Sequence, residues 1–501
     1  MEKKLAQLKE KMRVVEDLEL INELLNWDQS TYMPPGGAPA RGRQSALIAE
    51  IRQEKIIDPE IGRLLDHLEP WAETLSYDSD DASFVRATRR VYDVAVKIPT
   101  ALIGELYGHF AESYQKWTVA RPNNDFKTMQ PYLEKTLDLS RKLADCFPGY
   151  EHIADPLIDF QDYGMKASDI KAIFAQLRAE LVPLVEAIMD KEPVDNSVLF
   201  QEFPVDKQAA LGVEIIKDFG YDFERGRQDT THHPFMTKFS LGDVRITSRF
   251  NPNDLGDGLF STLHESGHAM YELGIDPKFE ASPLGVGVSA GVHESQSRLW
   301  ENIVGRSKPF WSHYLPLAKK YFPDQLGSIS VDEIYKAVNK VSRSLIRTDA
   351  DEVTYNLHVM LRFDLELALL EGSLEIRDLP EAWHERYQQD LGIRAPDDKD
   401  GVLQDVHWYA DVIGGVFQGY TLGNIMGGLF YKHALQAHPE IPDEVGMGQF
   451  DTLHNWMKQN IYQHGYKFTA SELIERVSGG PLTIDPYMEY LRTKYSEIYG
   501  L

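Results

Sequence analysis

His264-Glu265-Ser266-Gly267-His268 is the stretch on which the reading of this chain turns. Two histidines four residues apart project from the same face of a helix, close enough to share one Zn²⁺. The glutamate after the first histidine then stands where a general base on a metal-held water is needed. The flanks favour a helix: Leu259, Phe260, Leu263 and Met270 give it apolar neighbours, and Gly274 is a natural C-terminal stop. A buried helix with two hydrogen-bonded histidines is the plain alternative, so other residues decide between the two.

Catalytic zinc takes three protein ligands and keeps one position open. Glu294, in His293-Glu294-Ser295-Gln296-Ser297-Arg298, is the best third ligand. The intervening Ser282-Pro283-Leu284-Gly285-Val286-Gly287-Val288 reads as a loop. From Val292 a second helix runs through Leu299, Trp300 and Ile303, and packing against the first would carry Glu294 to the metal. His293 beside it reads as a support for a ligand or a substrate contact. A His₂Glu set also accepts Co²⁺ or Mn²⁺.

The surrounding composition is that of a large globular chain. Its 501 residues are 43% hydrophobic and 26% charged, enough for a sizeable core. We expect a single catalytic unit over 1–501. A soft seam at 190–196 separates an N-terminal helical part (1–195) from a zinc-site part (196–501). The net charge of −26 argues against a nucleic-acid or anionic-membrane partner. No apolar run reaches the roughly 18 residues of a membrane span. Met1-Glu2-Lys3-Lys4-Leu5 leads into an amphipathic helix and not a signal peptide. Cys146 is the only cysteine, which fits a reducing cytoplasm, and it reads as a core thiol.

Helical periodicity dominates, with helices expected at 1–26, roughly 40–67, 81–116, 126–146 and 167–190. Residues 236–250 alternate as two strands around a Leu241-Gly242-Asp243 turn, with Val244, Ile246 and Ser248 on one face and Arg245, Thr247 and Arg249 on the other. Such a hairpin offers an edge to an extended peptide. A long helix is expected from Ser330, where Ser330 and Glu333 form a capping box. Continued, it sets Arg347, Asp351 and Tyr355 on one face at i, i+4 and i+8, so that Asp351 would hold Arg347 toward a substrate carboxylate. If Gly401–Tyr409 is helical, Gln404 and His407 share a face, with Asp411 a turn beyond to set the His407 tautomer. Tyr420 is a candidate phenol donor, and Gly414–Tyr431 reads as a buried wall of the site.

Taken in chain order, these segments resemble the M32 family of metallocarboxypeptidases. His233-Pro234-Phe235 is similar to that family's HPF, Asp243–Thr247 to DxRxT, and His264–His268 to HExxH. His293–Gln296 is similar to HE(S/G)xQ, Ile346–Asp351 to IRxxAD, and Gly401–Trp408 to GxxQDxHW. Trp27-Asp28-Gln29 and Met33–Gly37 resemble the family's N-terminal region. The resemblance implies a mainly α, nearly all-helical HExxH metallopeptidase with a deep substrate groove and a small β-hairpin or sheet beside the zinc helix. It also implies removal of single C-terminal residues with broad preference and poor cleavage of Pro, and a homodimer. The metal ligands would be His264, His268 and Glu294, with Glu265 as base. Arg245, Arg347, His407 and His233 fall in substrate-binding motifs, and Arg347 is the first choice for the terminal carboxylate.

Two other readings remain open at this point. A zinc endopeptidase or oligopeptidase shares HExxH and a distant glutamate, and only the arginine-bearing motifs favour exo cleavage. A silent helical binding protein with structural zinc would have no need of Glu265.

Overall fold

Caps and prolines decide where the helices of this chain stop, and they divide two of the expected ones. The stretch at 40–67 is two helices, Ala38–Ile56 and Pro59–Ala72. Asp58 opens the second by accepting the Glu60 N–H at 2.9 Å, and Pro59 is suited to a first turn. The stretch at 81–116 divides into Asp80–Lys97 and Thr100–Ala120, because Pro99 holds Ile98 extended. The other early helices run Glu2–Thr31, Phe126–Asp145 and Ala167–Met189, close to the expected spans. The computed structural model describes all 501 residues, Met1–Leu501.

The expected long helix from Ser330 is corrected more sharply. The Ser330–Glu333 capping box is present, but the helix is only Val331–Val338. Asn339 ends it by turning its side-chain amide back onto the Tyr335 carbonyl at 2.8 Å, and the same amide donates to the Arg306 carbonyl. Arg347 then sits in a short 3₁₀ turn, Arg347–Asp349. Tyr355 opens a separate helix, Tyr355–Glu371. The segment 401–406 is likewise not helical, and only His407–Ala410 forms a turn of helix.

The sheet has three strands: β1 Gln228–Thr230, β2 Met236–Ser240 and β3 Asp243–Ser248. Their order is β1-β3-β2. The hairpin β2–β3 is antiparallel, with Thr237 opposite Arg245 and a register shift between Lys238 and Ser240. β1 had no sequence signal of its own and pairs parallel to β3, with Gln228 opposite Ile246. Gln228 Nε2 donates to Ser248 Oγ and to Thr262 Oγ1, both at 2.8 Å. These bonds pin the sheet to the HExxH helix, Leu255–Gly274.

Two apolar clusters form the interior. The larger begins at Leu106 and continues to Ile498, and it is continuous across 190–196. The smaller joins residues 5–87 of the first helices to Leu241, Ile275, Phe279 and Leu284. Arg245 helps to dock this N-terminal part. Its guanidinium lies 4.4 Å from the Trp27 ring and 4.8 Å from the Phe239 ring, while Asp243 holds it in two bonds of 2.8 Å. Cys146 is half-buried at the end of its helix rather than in the core. No helix is long and apolar enough to cross a membrane.

Candidate metal centre and cleft

The HExxH helix starts at Asp254, whose carboxylate accepts the N–H groups of Gly256 and Asp257. Leu255, Leu259, Leu263 and Met270 bury one side of it. Glu294 arrives on a second helix, Ala290–Arg298, opened by Ser289 Oγ accepting the Val292 N–H. Two glycines allow this second helix to lie where it does. A β-carbon on Gly267 would stand 2.6 Å from the Gln296 carbonyl oxygen. On the other side, a β-carbon on Gly423, in the helix Gln418–Ala437, would stand 2.6 Å from Glu294 Cβ. Such separations leave no room for a methyl group, so the Glu294 helix is seated between two bare backbones.

The outcome is a converging donor set. Ligand atoms of His264, His268 and Glu294 all lie within 4.8 Å of one another. Glu294 Oε2 is 3.8 Å from His264 Nε2 and 3.5 Å from His268 Nε2. The other nitrogen of each ring is engaged from behind, His264 Nδ1 by Glu301 Oε2 at 2.9 Å and His268 Nδ1 by His293 Nδ1 at 2.7 Å. Both Nε2 atoms are thereby left facing the shared point. Glu294 gives its other oxygen, Oε1, to Arg298 Nε at 2.7 Å. Two imidazoles, which ligate in their neutral form, and one carboxylate with one free oxygen fit a divalent cation.

Charge follows this layout. Burial alone would raise the Glu294 carboxyl, but Arg298 and His264 hold it well below the usual range. Burial likewise opposes ionisation of Glu301, yet Arg298 and His264 bring it down to about 2. Around Glu265 burial outweighs His264, and the nearby Glu294 and Glu301 carboxylates add to it, so the carboxyl is pushed up to about 7.

These groups line one wall of a cleft of about 1510 Å³. His233, Arg347, His407 and Tyr420 line the same cleft. Arg347 is buried and is held by Asp405, through Nε at 3.1 Å and Nη2 at 2.9 Å, while its Nη1 donates to the Tyr355 hydroxyl at 2.9 Å. Asp351 does not hold it. That carboxylate is spent on the N–H groups of Ser342, Val353 and Thr354. Arg362 also donates to Asp405 and, at 2.8 Å, to Gln404 Oε1. Two guanidiniums on one carboxylate leave a unit of positive charge at this wall. His407 Nε2 and the Tyr420 hydroxyl are 3.2 Å apart, and Asp405, not Asp411, is the carboxylate nearest His407, at 3.7 Å. Arg245 does not line the cleft.

Sequence reading therefore brought together eight of its nine site residues, and it missed Arg298, Glu301, Arg362 and Asp405 as partners. Arg298 and Glu301 carried a signal, since they follow Glu294 by four and seven residues and so share its helix face. Asp405 stands in the Gly401–Trp408 segment, but nothing there tied it to Arg347, and Arg362 carried no signal.

Residues 7–495 match the family model described as carboxypeptidase Taq (M32) metallopeptidase. The chain is 39% identical over 494 residues to thermostable carboxypeptidase 1 of Thermus thermophilus, covering 96% of each. It is similar to the crystal structure of an M32 carboxypeptidase from Deinococcus radiodurans R1, with a TM-score of 0.97, 49% identity and 100% of both chains covered. A Pyrococcus furiosus carboxypeptidase structure gives a TM-score of 0.95 at 31% identity, covering 98% of this chain and 99% of that one.

Proposed function

Because this chain belongs to the carboxypeptidase Taq (M32) metallopeptidase family, and is therefore a peptide hydrolase of the metallocarboxypeptidase type, we propose that it releases single C-terminal residues at a zinc ion held by His264, His268 and Glu294. The observation that carries this reading is the convergence of three possible ligand atoms, with the second nitrogen of each ring engaged from behind. Co²⁺ and Mn²⁺ suit the same donors.

When bound, the metal supplies Lewis acidity to the scissile carbonyl and to water. Glu265 takes the proton of the attacking water as the C–O bond forms. It returns that proton to the amine nitrogen as the C–N bond breaks. A carboxyl pushed up to about 7 by burial is suited to both halves of that transfer near neutral pH. Tyr420 and His407, bonded to each other in the cleft, are the donors we assign to the developing oxyanion. Arg347 and the surplus positive charge it shares with Arg362 face the free carboxylate of the substrate, and His233 completes that wall. Arg245, packed between Trp27 and Phe239, acts in docking the N-terminal helices and not on substrate. Preference is broad, with Pro at the C-terminus cleaved poorly. The protein works as a single catalytic unit in a homodimer in the cytoplasm, a compartment that suits a chain with one cysteine.

A mass-spectrometric time course with zinc-loaded protein tests this on one peptide, offered with a free or an amidated C-terminus. The expected result is a ladder of single-residue losses from the free acid alone. Internal cuts in both peptides would overturn exo cleavage in favour of an oligopeptidase. Arg347→Ala is expected to raise KM for the free acid by about tenfold or more while kcat changes less. An unchanged KM removes it from the carboxylate site. Sedimentation checks the dimer.

A further inference from the structure

The two histidines of the HExxH helix are supported differently, and the difference extends two residues beyond any assigned role. His264 leans directly on a carboxylate, Glu301. His268 leans on another imidazole, His293, whose Nε2 lies 2.8 Å from Glu272 Oε1. Glu272 is buried in the last turn of the same HExxH helix. Its Oε1 also accepts the Gly287 N–H at 3.0 Å, and its Oε2 accepts Lys238 Nζ at 2.5 Å. Lys238 comes from β2 and is itself nearly buried, with 11% of its side chain exposed. Burial opposes ionisation of Glu272, but Lys238 and His293 outweigh it and hold the carboxyl well below its usual range.

Proton positions follow along this chain of contacts. An ionised Glu272 can only accept, so His293 Nε2 carries a hydrogen. A neutral His293 then has its lone pair on Nδ1, and His268 Nδ1 must donate to it. His268 is left with its lone pair on Nε2, the atom that faces Glu294. Without Glu272, His293 has no reason to prefer this tautomer, and the imidazole behind His268 is free to turn.

We propose that Glu272 and Lys238 are positioning residues which, acting through His293, fix the tautomer and ring orientation of His268 for the metal. The proposal rests on the reading that His264, His268 and Glu294 hold that metal. It ties the metal to β2, and so to the sheet, through one lysine. A second cavity of about 340 Å³ shares only His293 with the main cleft and is also lined by Glu272 and Gly287. It gives small solutes a route to this relay from outside the substrate cleft.

The test measures zinc affinity by chelator competition, and the visible spectrum of the Co²⁺-substituted protein, for Glu272→Gln, Lys238→Met and His268→Ala. Glu272→Gln should weaken zinc binding by about tenfold or more and alter the Co²⁺ bands. Lys238→Met should do the same to a smaller degree. In Glu272→Ala, added formate should recover part of the affinity through the second cavity. Zinc affinity and Co²⁺ bands equal to the parent in Glu272→Gln would overturn the proposal. If Glu272→Gln does not fold, Lys238→Met decides: affinity unchanged overturns it, affinity reduced supports it. His268→Ala separates the two readings. Loss of zinc there with none in Glu272→Gln refutes the positioning role alone, whereas zinc retained by His268→Ala refutes the ligand assignment and the proposal with it.

Discussion

The two walls of the cleft are built on opposite plans. On the metal wall, His264, Glu265 and His268 come from one helix and Glu294 from the next. His264, His268 and Glu294 are each gripped from behind and leave one atom facing the other two. On the arginine wall, Arg347, Arg362, Gln404 and Asp405 come from three separate segments, and most of their polar atoms satisfy one another. The first wall is a set of reactive groups on a preformed scaffold. The second is a buried ionic network that is itself part of the scaffold. Chemistry should therefore be separable from folding on the metal wall, and inseparable from it on the arginine wall.

Glu265→Gln is the largest test of that contrast. It should lower kcat by about a thousandfold while metal content stays at the parent's value and thermal stability does not fall, read by turnover, elemental analysis and melting. A variant that melts early would mean that the metal wall, too, is scaffold. Asp405→Asn should behave in the opposite way. Two buried guanidiniums lose the charge between them, which costs about 3–5 kcal/mol of stability, measured by denaturant unfolding. Stability equal to the parent would show that the network is held by something else.

Gly423→Ala sharpens the comparison within the metal wall. Its new methyl has no room beside Glu294, and the strain should cost about 1–3 kcal/mol and weaken zinc retention, read by dialysis against a chelator. Glu366→Gln reports on the arginine wall from outside. Glu366 is fully buried, accepts the Trp408 N–H at 2.8 Å, and is pushed up to about 8 by burial. A carboxyl whose folded value is raised binds its proton more tightly when folded. Its stabilising share is thus full below its unfolded value near 4.5, declines as pH rises toward about 8, and is flat beyond. The glutamine lacks this titration. Its melting temperature should overtake the parent's progressively across that interval, and parallel pH–stability curves would refute the shift.

The same contrast explains what was readable beforehand. The metal wall obeys a local rule: ligands four apart on a helix, a third on the following helix, and Arg298 and Glu301 continuing its face. The arginine wall obeys none. Its residues at 347, 351 and 355 have the spacing of a helix face, yet Asn339 ends the helix before reaching them. Asp405, the partner that matters, lies 58 residues along the chain from Arg347. Periodicity reports on the helix that a segment can form, not on a side-chain amide that stops it. The breaks at Asp58-Pro59 and Ile98-Pro99 were of a more legible kind, since a cap or a proline stood in plain view. β1 was missed because three residues are too few to show alternation.

The seat of Glu294 between Gly267 and Gly423 has a consequence for how such a centre can change over generations or under a designer's hand. Most residues that hold a ligand in place can be trimmed or enlarged by a methylene, so its position can drift in small steps. Here the neighbours are already bare backbone on both sides, and no smaller residue exists. The third ligand can be pushed outward but never allowed closer. Substitution at either glycine is therefore a one-way ratchet away from the present distance between Glu294 and the two histidines. Any tightening of the site must come from the ligand side chain itself.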